Sequence, residues 1–248
     1  MILESAMYFI TRAIFVCNLN LLLKKRLIDI AVLSNLKLGS NTCKAEELLT
    51  YLNSIKPGLI LLSGGIFDDS LLYAKKWPQE HIQVLLKLLD FATSGSDILY
   101  LGSKNDVAAN KLADTFHIKF KIVKKLTIMT QESKIKFIAN EKDSEKYESN
   151  IEKNRLVYKL IHRGYTHLIL NSDQKSTKNW MDLPQGKICI MTSGNWTHAP
   201  SALEFAFKRW KTYHFSEDKL TAFYADEAIK TMGYKEILQS AHFKSKTH

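Results

Sequence analysis

Any chemistry in this sequence must come from the polar breaks that follow its apolar runs. The run Leu59 to Ser63 ends in Gly64-Gly65, and Asp68 follows three positions later. That is the pattern of a strand delivering a carboxylate to the edge of a sheet, and Asp68 is the candidate acid. Ser63 and Ser172 are nucleophile candidates only beside a general base, which their neighbourhoods do not supply. Among the eight histidines, His162 and His167 flank a helix-to-strand turn, and His198 follows Trp196. No H-x-H, HExxH or carboxylate-histidine cluster joins them, so each reads as an isolated turn or surface residue. The three cysteines, Cys17, Cys43 and Cys189, are far apart and odd in number. They form neither a metal spacing nor a disulfide framework, which implies a reducing, cytoplasmic compartment. Neither GxGxxG nor GxxxxGK[ST] occurs, which removes the glycine-rich phosphate cradles.

The elements that would position such residues alternate between strand-like and helix-like from Leu27 onward, an α/β pattern. "RLIDIAVLS" reads as a buried strand. "TCKAEELLTYLNSI" places Ala45, Leu48, Leu49, Leu52 and Ile55 at helical spacing, with Asn41 or Thr42 as cap and Pro57-Gly58 as the break. "LILLS" is the second strand. "PQEHIQVLLKLLDFATSG" is a helix from Pro78 to Gly95, and "DILYLG" the third strand. Strands are expected in "IKFKIV", "LTIMT", "KIKFIA", "HLILN" and "KICIMTS". The helix "NIEKNRLVYKLIHRG" precedes "HLILN". "ALEFAFKRWKTYHF" is long enough for a hairpin, and a helix over roughly Lys219 to Met232 closes the chain.

With 46% apolar and 24% charged residues, the 248 residues suit an ordinary globular protein. The expected organisation is one domain over 25–248 behind an N-terminal extension, 1–24. That extension is apolar but interrupted by Arg12, Asn18 and Asn20, too short and polar for a membrane span. It reads as a helix that packs on the domain or touches a membrane surface. The formal charge of +10 comes from scattered lysines. Anionic lipid, a phosphorylated small molecule or an acidic protein is the expected partner, and nucleic acid is not. Trp77, Trp180, Trp196 and Trp210 read as packing residues, because no basic-aromatic interleaving surrounds them.

Five segments, in order, resemble the calcineurin-like metallophosphoesterases, and within them the UDP-2,3-diacylglucosamine pyrophosphatase-like branch. "IAVLSNLKLGSNTCKAEELLTYLNSIKP" is similar to an opening with ISDVHLG followed by a helix, and "LILLSGGIFD" to LILNGDIFD. "WPQEHIQVLLKLLDFATSGSDILYLGSKND" resembles a helix and strand ending in GNHD. "GYTHLILNSDQKS" falls at the GHTH loop, and "ICIMTSGNWTHAPSALEF" at the closing N-x-GDW and T-A-L-E segment. Gly39, Trp77-Pro78, Gly194, Trp196 and Ala202-Leu203-Glu204 match the scaffold of that pattern. The resemblance implies a sandwich of two mixed β-sheets flanked by helices. It also implies phosphoester or pyrophosphate hydrolysis at a centre of two divalent cations such as Mn²⁺ or Mg²⁺.

The ligands that such a centre requires do not carry over. The Asp and His of the first motif fall on Asn35 and Lys37, and the bridging carboxylate of the second on Gly65. The Asn ligand and catalytic His of the third fall on Lys104 and Asn105. A further His falls near Ala139, the two GHTH histidines on Ser172 and Gln174, and the Asp of GDW on Asn195. An ammonium has no lone pair for a metal, and glycine has no side chain. Asp68 and Asp106 match non-ligand positions and read as loop-structuring residues. The expectation is therefore a catalytically inactive homologue, without cofactor or catalytic residue, that acts as a binding or scaffold protein. Lys37 and Lys104 are its candidate phosphate-binding pair. The short interval between "FIANEKD" and "GYTH" lacks the family's longer helical lid. A working hydrolase with an atypical site is the alternative.

Overall fold

The computed structural model describes residues 25–68, 77–102, 121–123, 126–130, 133–138, 146–147, 154–215 and 223–224. Strands β1 (Arg26–Leu33), β2 (Ile55–Ser63), β3 (Asp97–Leu101) and β4 (Lys121–Val123) pair in parallel. Strands β10 (Ser201–Ala206), β11 (Arg209–His214) and β12 (Phe223–Tyr224) add antiparallel on the other side of β1, giving the order β12-β11-β10-β1-β2-β3-β4. The second sheet holds β5 (Leu126–Met129), β6 (Lys134–Ile138), β7 (His167–Leu170), β8 (Thr177–Leu183) and β9 (Gly186–Thr192) in the order β5-β6-β7-β9-β8. Its central pairs β6-β7 and β7-β9 are parallel and its edges antiparallel. Among the described residues, three helices cover these sheets: α1 (Ala45–Ser54), α2 (Gln79–Thr93) and α3 (Arg155–His162).

Strand periodicity produces the layers. Successive side chains of a strand point to opposite faces, so a strand buried on both sides reads as a continuous apolar run. Val32, Leu61 and Leu203 face the second sheet and meet Phe137, Ile169 and Met191 in a core between the sheets. Their neighbours Leu33, Ile60 and Leu62 turn outward against Leu48 and Leu52 of α1 and Val84 and Leu88 of α2. On the far side, Leu168 and Leu170 of β7 pack with Val157 and Leu160 of α3. The result is the sandwich of two mixed sheets flanked by helices that the resemblance implies.

Several local expectations are corrected. Asn41 and Thr42 do not cap α1. The helix starts after Lys44, without a side-chain cap, and Thr42 instead bonds Ser40 Oγ through its backbone N–H at 3.2 Å. The helix ends at Ser54, so Pro57-Gly58 lies inside β2 rather than breaking the helix. Pairing with β3 begins only at Leu59, so the missing N–H of Pro57 costs no ladder bond on that side, and its carbonyl accepts from Ser96 Oγ at 2.7 Å. Strand β8, "TKNWMDL", was not expected, because its mostly exposed residues carry no apolar alternation. "ALEFAFKRWKTYH" is a hairpin, β10–β11, turned at Phe207-Lys208. Within the expected C-terminal helix, Phe223–Tyr224 instead pair with β11, and the rest of that span lies outside the described residues, as do 1–24. No helix among the described residues is long and apolar enough to cross a membrane.

Candidate functional site

Parallel strands end together, so β1, β2, β7 and β9 bring four loops to one end of the sandwich. The chain leaves β1 at Ser34 and turns through Asn35 and Lys37, both in the left-handed region at φ 50°. A non-glycine residue in that conformation is uncommon and is retained where its surroundings impose it. Here the surroundings are the loop after β2: Asn35 N–H donates to Gly64 O at 2.9 Å, Lys37 N–H to Gly65 O at 2.9 Å, and Leu38 N–H to Ile66 O at 2.8 Å. Asp68 N–H returns the bond to Leu38 O at 2.9 Å, which ties Asp68 to the loop through its backbone.

Asn35 is the centre of this end. It is 4% exposed, and its Nδ2 donates to Asn171 Oδ1 at 2.9 Å and to the Ser172 carbonyl at 2.8 Å. Its carbonyl accepts from Trp196 N–H at 3.2 Å. One residue therefore joins the loops after β1, β7 and β9, which belong to opposite sheets, through its side-chain amide to the β7 loop and its carbonyl to the β9 loop. Its Oδ1 lies over Gly65. A Cβ added at Gly65 would overlap that oxygen and come within 3.2 Å of Asn35 Cα, at a residue whose φ is +59°. The missing side chain at Gly65 is therefore a spatial requirement of Asn35, not a vacancy left in an otherwise intact loop.

Asn195 performs the same task beside it. Its buried Oδ1 accepts from Thr197 N–H and Thr197 Oγ1, both at 2.6 Å, and from His198 N–H at 3.2 Å, while Nδ2 donates to Asp173 O at 2.7 Å. An aspartate could accept those three bonds but could not make the fourth. Ser34 Oγ lies 2.6 Å from Ser193 Oγ and 2.9 Å from Gly194 O, and Ser193 Oγ reaches Leu170 O at 3.2 Å. Gly194, at φ +89°, is packed so tightly that a Cβ would stand 2.6 Å from Ser201 O. Trp196 is fully buried against Tyr51 at a centroid distance of 5.3 Å.

Of the residues singled out in the sequence, Asn35, Gly65, Ser172 and Asn195 meet here. Ser172 and Gln174 form a local turn in which Gln174 N–H donates to Ser172 Oγ at 3.3 Å. Lys37 is partly buried at the rim. Lys104, Asn105, Asp106 and Ala139 lie outside the described residues, so the pairing of Lys37 with Lys104 is not among the described contacts. Ser63 is fully buried at the end of β2, and among the described residues its hydroxyl has no hydrogen-bond partner that could serve as a base. His162 sits exposed in the last turn of α3, while His167 lies 2.8 Å from Thr166 Oγ1, away from this end. Among the described residues no three of His, Cys, Asp or Glu are grouped as a metal would need. Burial pushes the thiol of Cys43 up to about 12 and that of Cys189 up to about 11, so neither is a thiolate near neutral pH.

Two participants carried no sequence signal that singled them out. The sequence marks Asn171 only as the end of a strand. His81 was an unremarked position of α2, yet its Nδ1 accepts from Gly39 N–H at 2.8 Å and pins the first loop to that helix. Burial lowers the His81 pKa, which keeps the imidazole neutral and able to accept.

Among the described residues the donor set does not suit two hard cations. These bind carboxylate, imidazole and amide oxygen, whereas Gly65 offers nothing, Lys37 offers an ammonium, and Asn35 offers one neutral amide oxygen, its Nδ2 being spent on joining loops.

No protein-family model matches the sequence, and no curated protein does. Among solved structures the chain is similar to a single mutant of Vps29 from Entamoeba histolytica, at 11% identity and a TM-score of 0.46 over 79% of this chain and 98% of that one. It is similar to an archaeal phosphodiesterase at 11% identity and TM-score 0.42, covering 75% and 98%. Vacuolar protein sorting 29 from Cryptosporidium parvum gives 10% identity and TM-score 0.44, covering 80% and 97%. None of these likenesses carries a residue, a ligand or a partner over to this chain.

Proposed function

We propose that this chain is a catalytically silent homologue of the calcineurin-like phosphoesterases, of the UDP-2,3-diacylglucosamine pyrophosphatase-like branch, that serves as a binding or scaffold protein. One observation carries the reading: the Asn35 side chain stands where a side chain at Gly65 would go, and spends its amide on joining the loops of both sheets. Two-metal enzymes of this fold hold those loops through shared cations. Here neutral hydrogen bonds do so, which leaves the loop end shaped but without a hydroxide-generating centre. The scaffold residues that define the branch support the finer assignment, since Gly194 has no room for a side chain and Trp196 fills the core.

The ligand we propose bears phosphate and is held by Lys37, at the rim of the loop end, together with Lys104. The two described cysteines are free, in keeping with a cytoplasmic protein. The test is an assay of the purified protein with Mn²⁺ on bis(p-nitrophenyl) phosphate, beside thermal shifts with inorganic phosphate and UDP-sugars. Absence of Mn²⁺-dependent turnover, with a phosphate-induced shift lost in a Lys37→Ala/Lys104→Ala variant, is the expected result. Turnover that chelation abolishes overturns the proposal.

A further inference from the structure

The other end of the sandwich carries a feature that the sequence scattered over three segments. The parallel register runs His167↔Cys189 to Leu170↔Thr192, so the starts of β7 and β9 lie opposite the loops of Asn171 and Ser193. At that opposite end is a cavity of ≈ 690 Å³, within the range of small-molecule sites. Lys178 and Trp180 of β8, Lys187 of β9, and Lys208, Arg209 and Trp210 of the β10–β11 hairpin line it. None of the described lining residues is acidic.

The aromatic part is prearranged. Trp180 is 50% exposed, unlike Trp196 and Trp210, and is held edge-on to His167 at 5.2 Å between centroids. Lys187 Nζ sits 5.3 Å from the Trp180 ring centroid. Lys187 is also 3.6 Å from Asp182, an exposed pair that water screens. Lys178 Nζ donates to the Trp210 carbonyl at 2.9 Å, which fixes one cation inside the groove. At the tip, Phe207 and Lys208 both have positive φ, 52° and 61°, and Phe207 is 84% exposed. A bulky aromatic held in the left-handed region and turned to water is costly in conformation and in exposure, which marks the tip as a contact residue.

We propose that this groove binds a nucleotide unit: a nucleobase stacked on Trp180, with phosphate drawn to Lys208, Arg209 and Lys178. A bare anion would need the cations but not the half-open indole, and an apolar ligand would need the indole but not four cations. A base joined to phosphate uses both, and this chemistry is common to free nucleotides and single-stranded nucleic acid. Trp180, read from sequence as a packing residue, is half exposed, and the chain around it carries no basic-aromatic interleaving. Adjacent strands and a hairpin supply it in space.

The test titrates the full chain with AMP, UMP, a uridine octanucleotide and inorganic polyphosphate by calorimetry, with tryptophan fluorescence as a second readout. The variants are Trp180→Ala and Lys208→Glu/Arg209→Glu, each checked by circular dichroism. Saturable mononucleotide binding weakened at least tenfold in both variants supports the proposal and points to a free nucleotide. Octanucleotide binding alone, with the same sensitivity and a steep salt dependence, supports it and points to a strand. Polyphosphate binding as tight as that of the octanucleotide, with Trp180→Ala within twofold of wild type, reduces the effect to net charge and overturns it. Absence of saturable binding by any nucleotide overturns it as well. Lys37→Ala/Lys104→Ala leaves the groove intact, so failure here and failure of the proposed loop-end function are separable.

Discussion

Single side chains decide whether the loop end can do chemistry. Restoring a carboxylate by Gly65→Asp is expected to leave Mn²⁺ unbound and to destabilise the fold by about 2 kcal/mol or more, since the new Cβ overlaps Asn35 Oδ1 at a positive φ. Melting curves with and without Mn²⁺ check this, and a metal-dependent rise in Tm would refute it. Asn195→Asp is expected to cost about 1–3 kcal/mol, because the carboxylate faces the Asp173 carbonyl that Nδ2 now satisfies. Denaturant unfolding at pH 7 measures it, and an unchanged midpoint would mean the amide is dispensable. His167 gives a pH signature. Burial first, and Lys178 second, push its pKa down to about 4 from 6.5. As pH falls below 6.5 the unfolded chain takes up a proton that the native state refuses until about 4. The stability from this group is thus whole above 6.5 and lost on the way down to about 4, by roughly 2–3 kcal/mol. His167→Gln should flatten the decline in urea midpoint between pH 7.5 and 4.5, and equal declines would contradict the assignment.

Elements show where reading by pattern succeeded and where it could not. The strands of the two central layers were legible because runs such as "IAVL" and "LILL" are apolar on both faces, and α2 because Val84, Leu85, Leu88 and Phe91 repeat at helical spacing. The loop end was legible as a set of missing ligands, yet what replaced them was not. Asn171 and His81 act through contacts 136 and 42 residues away in sequence, which no local pattern encodes. Strand β8 escaped because exposure on both faces removes alternation, and its register is set by partners on β9 instead. The β10–β11 turn makes a prediction at this scale. Two residues at positive φ linking Ala206↔Arg209 form the mirror-image turn that twisted hairpins favour, where Asn-Gly is the usual choice. Replacing Phe207-Lys208 by Asn-Gly is expected to raise stability by about 1 kcal/mol while removing part of the groove. A calorimetric melt tests the first half, and a lowered Tm would show that the tip is packed rather than strained.

At the scale of the molecule, the layers leave two ends with different chemistry. Among the described residues, one end is cross-linked by the buried, neutral side chains of Asn35, Asn195 and Ser34, with Lys37 at its rim. The other is open, cationic and aromatic. The bulk charge of +10 indicated neither, because it records the number of lysines and not their grouping by the fold. The partly buried Arg26–Glu204 pair, with Arg26 donating to both carboxylate oxygens at 3.0 and 2.9 Å, joins β1 to β10 within the first sheet. Such a scaffold is stable without metal only if hydrogen bonds truly hold the loop end. Calorimetric titration of Mn²⁺ into the metal-free full chain tests that most directly. The expected result is no saturable binding at micromolar concentration and a Tm unaltered by chelator. Two equivalents of Mn²⁺ bound per chain, with a Tm that falls on chelation, would contradict it.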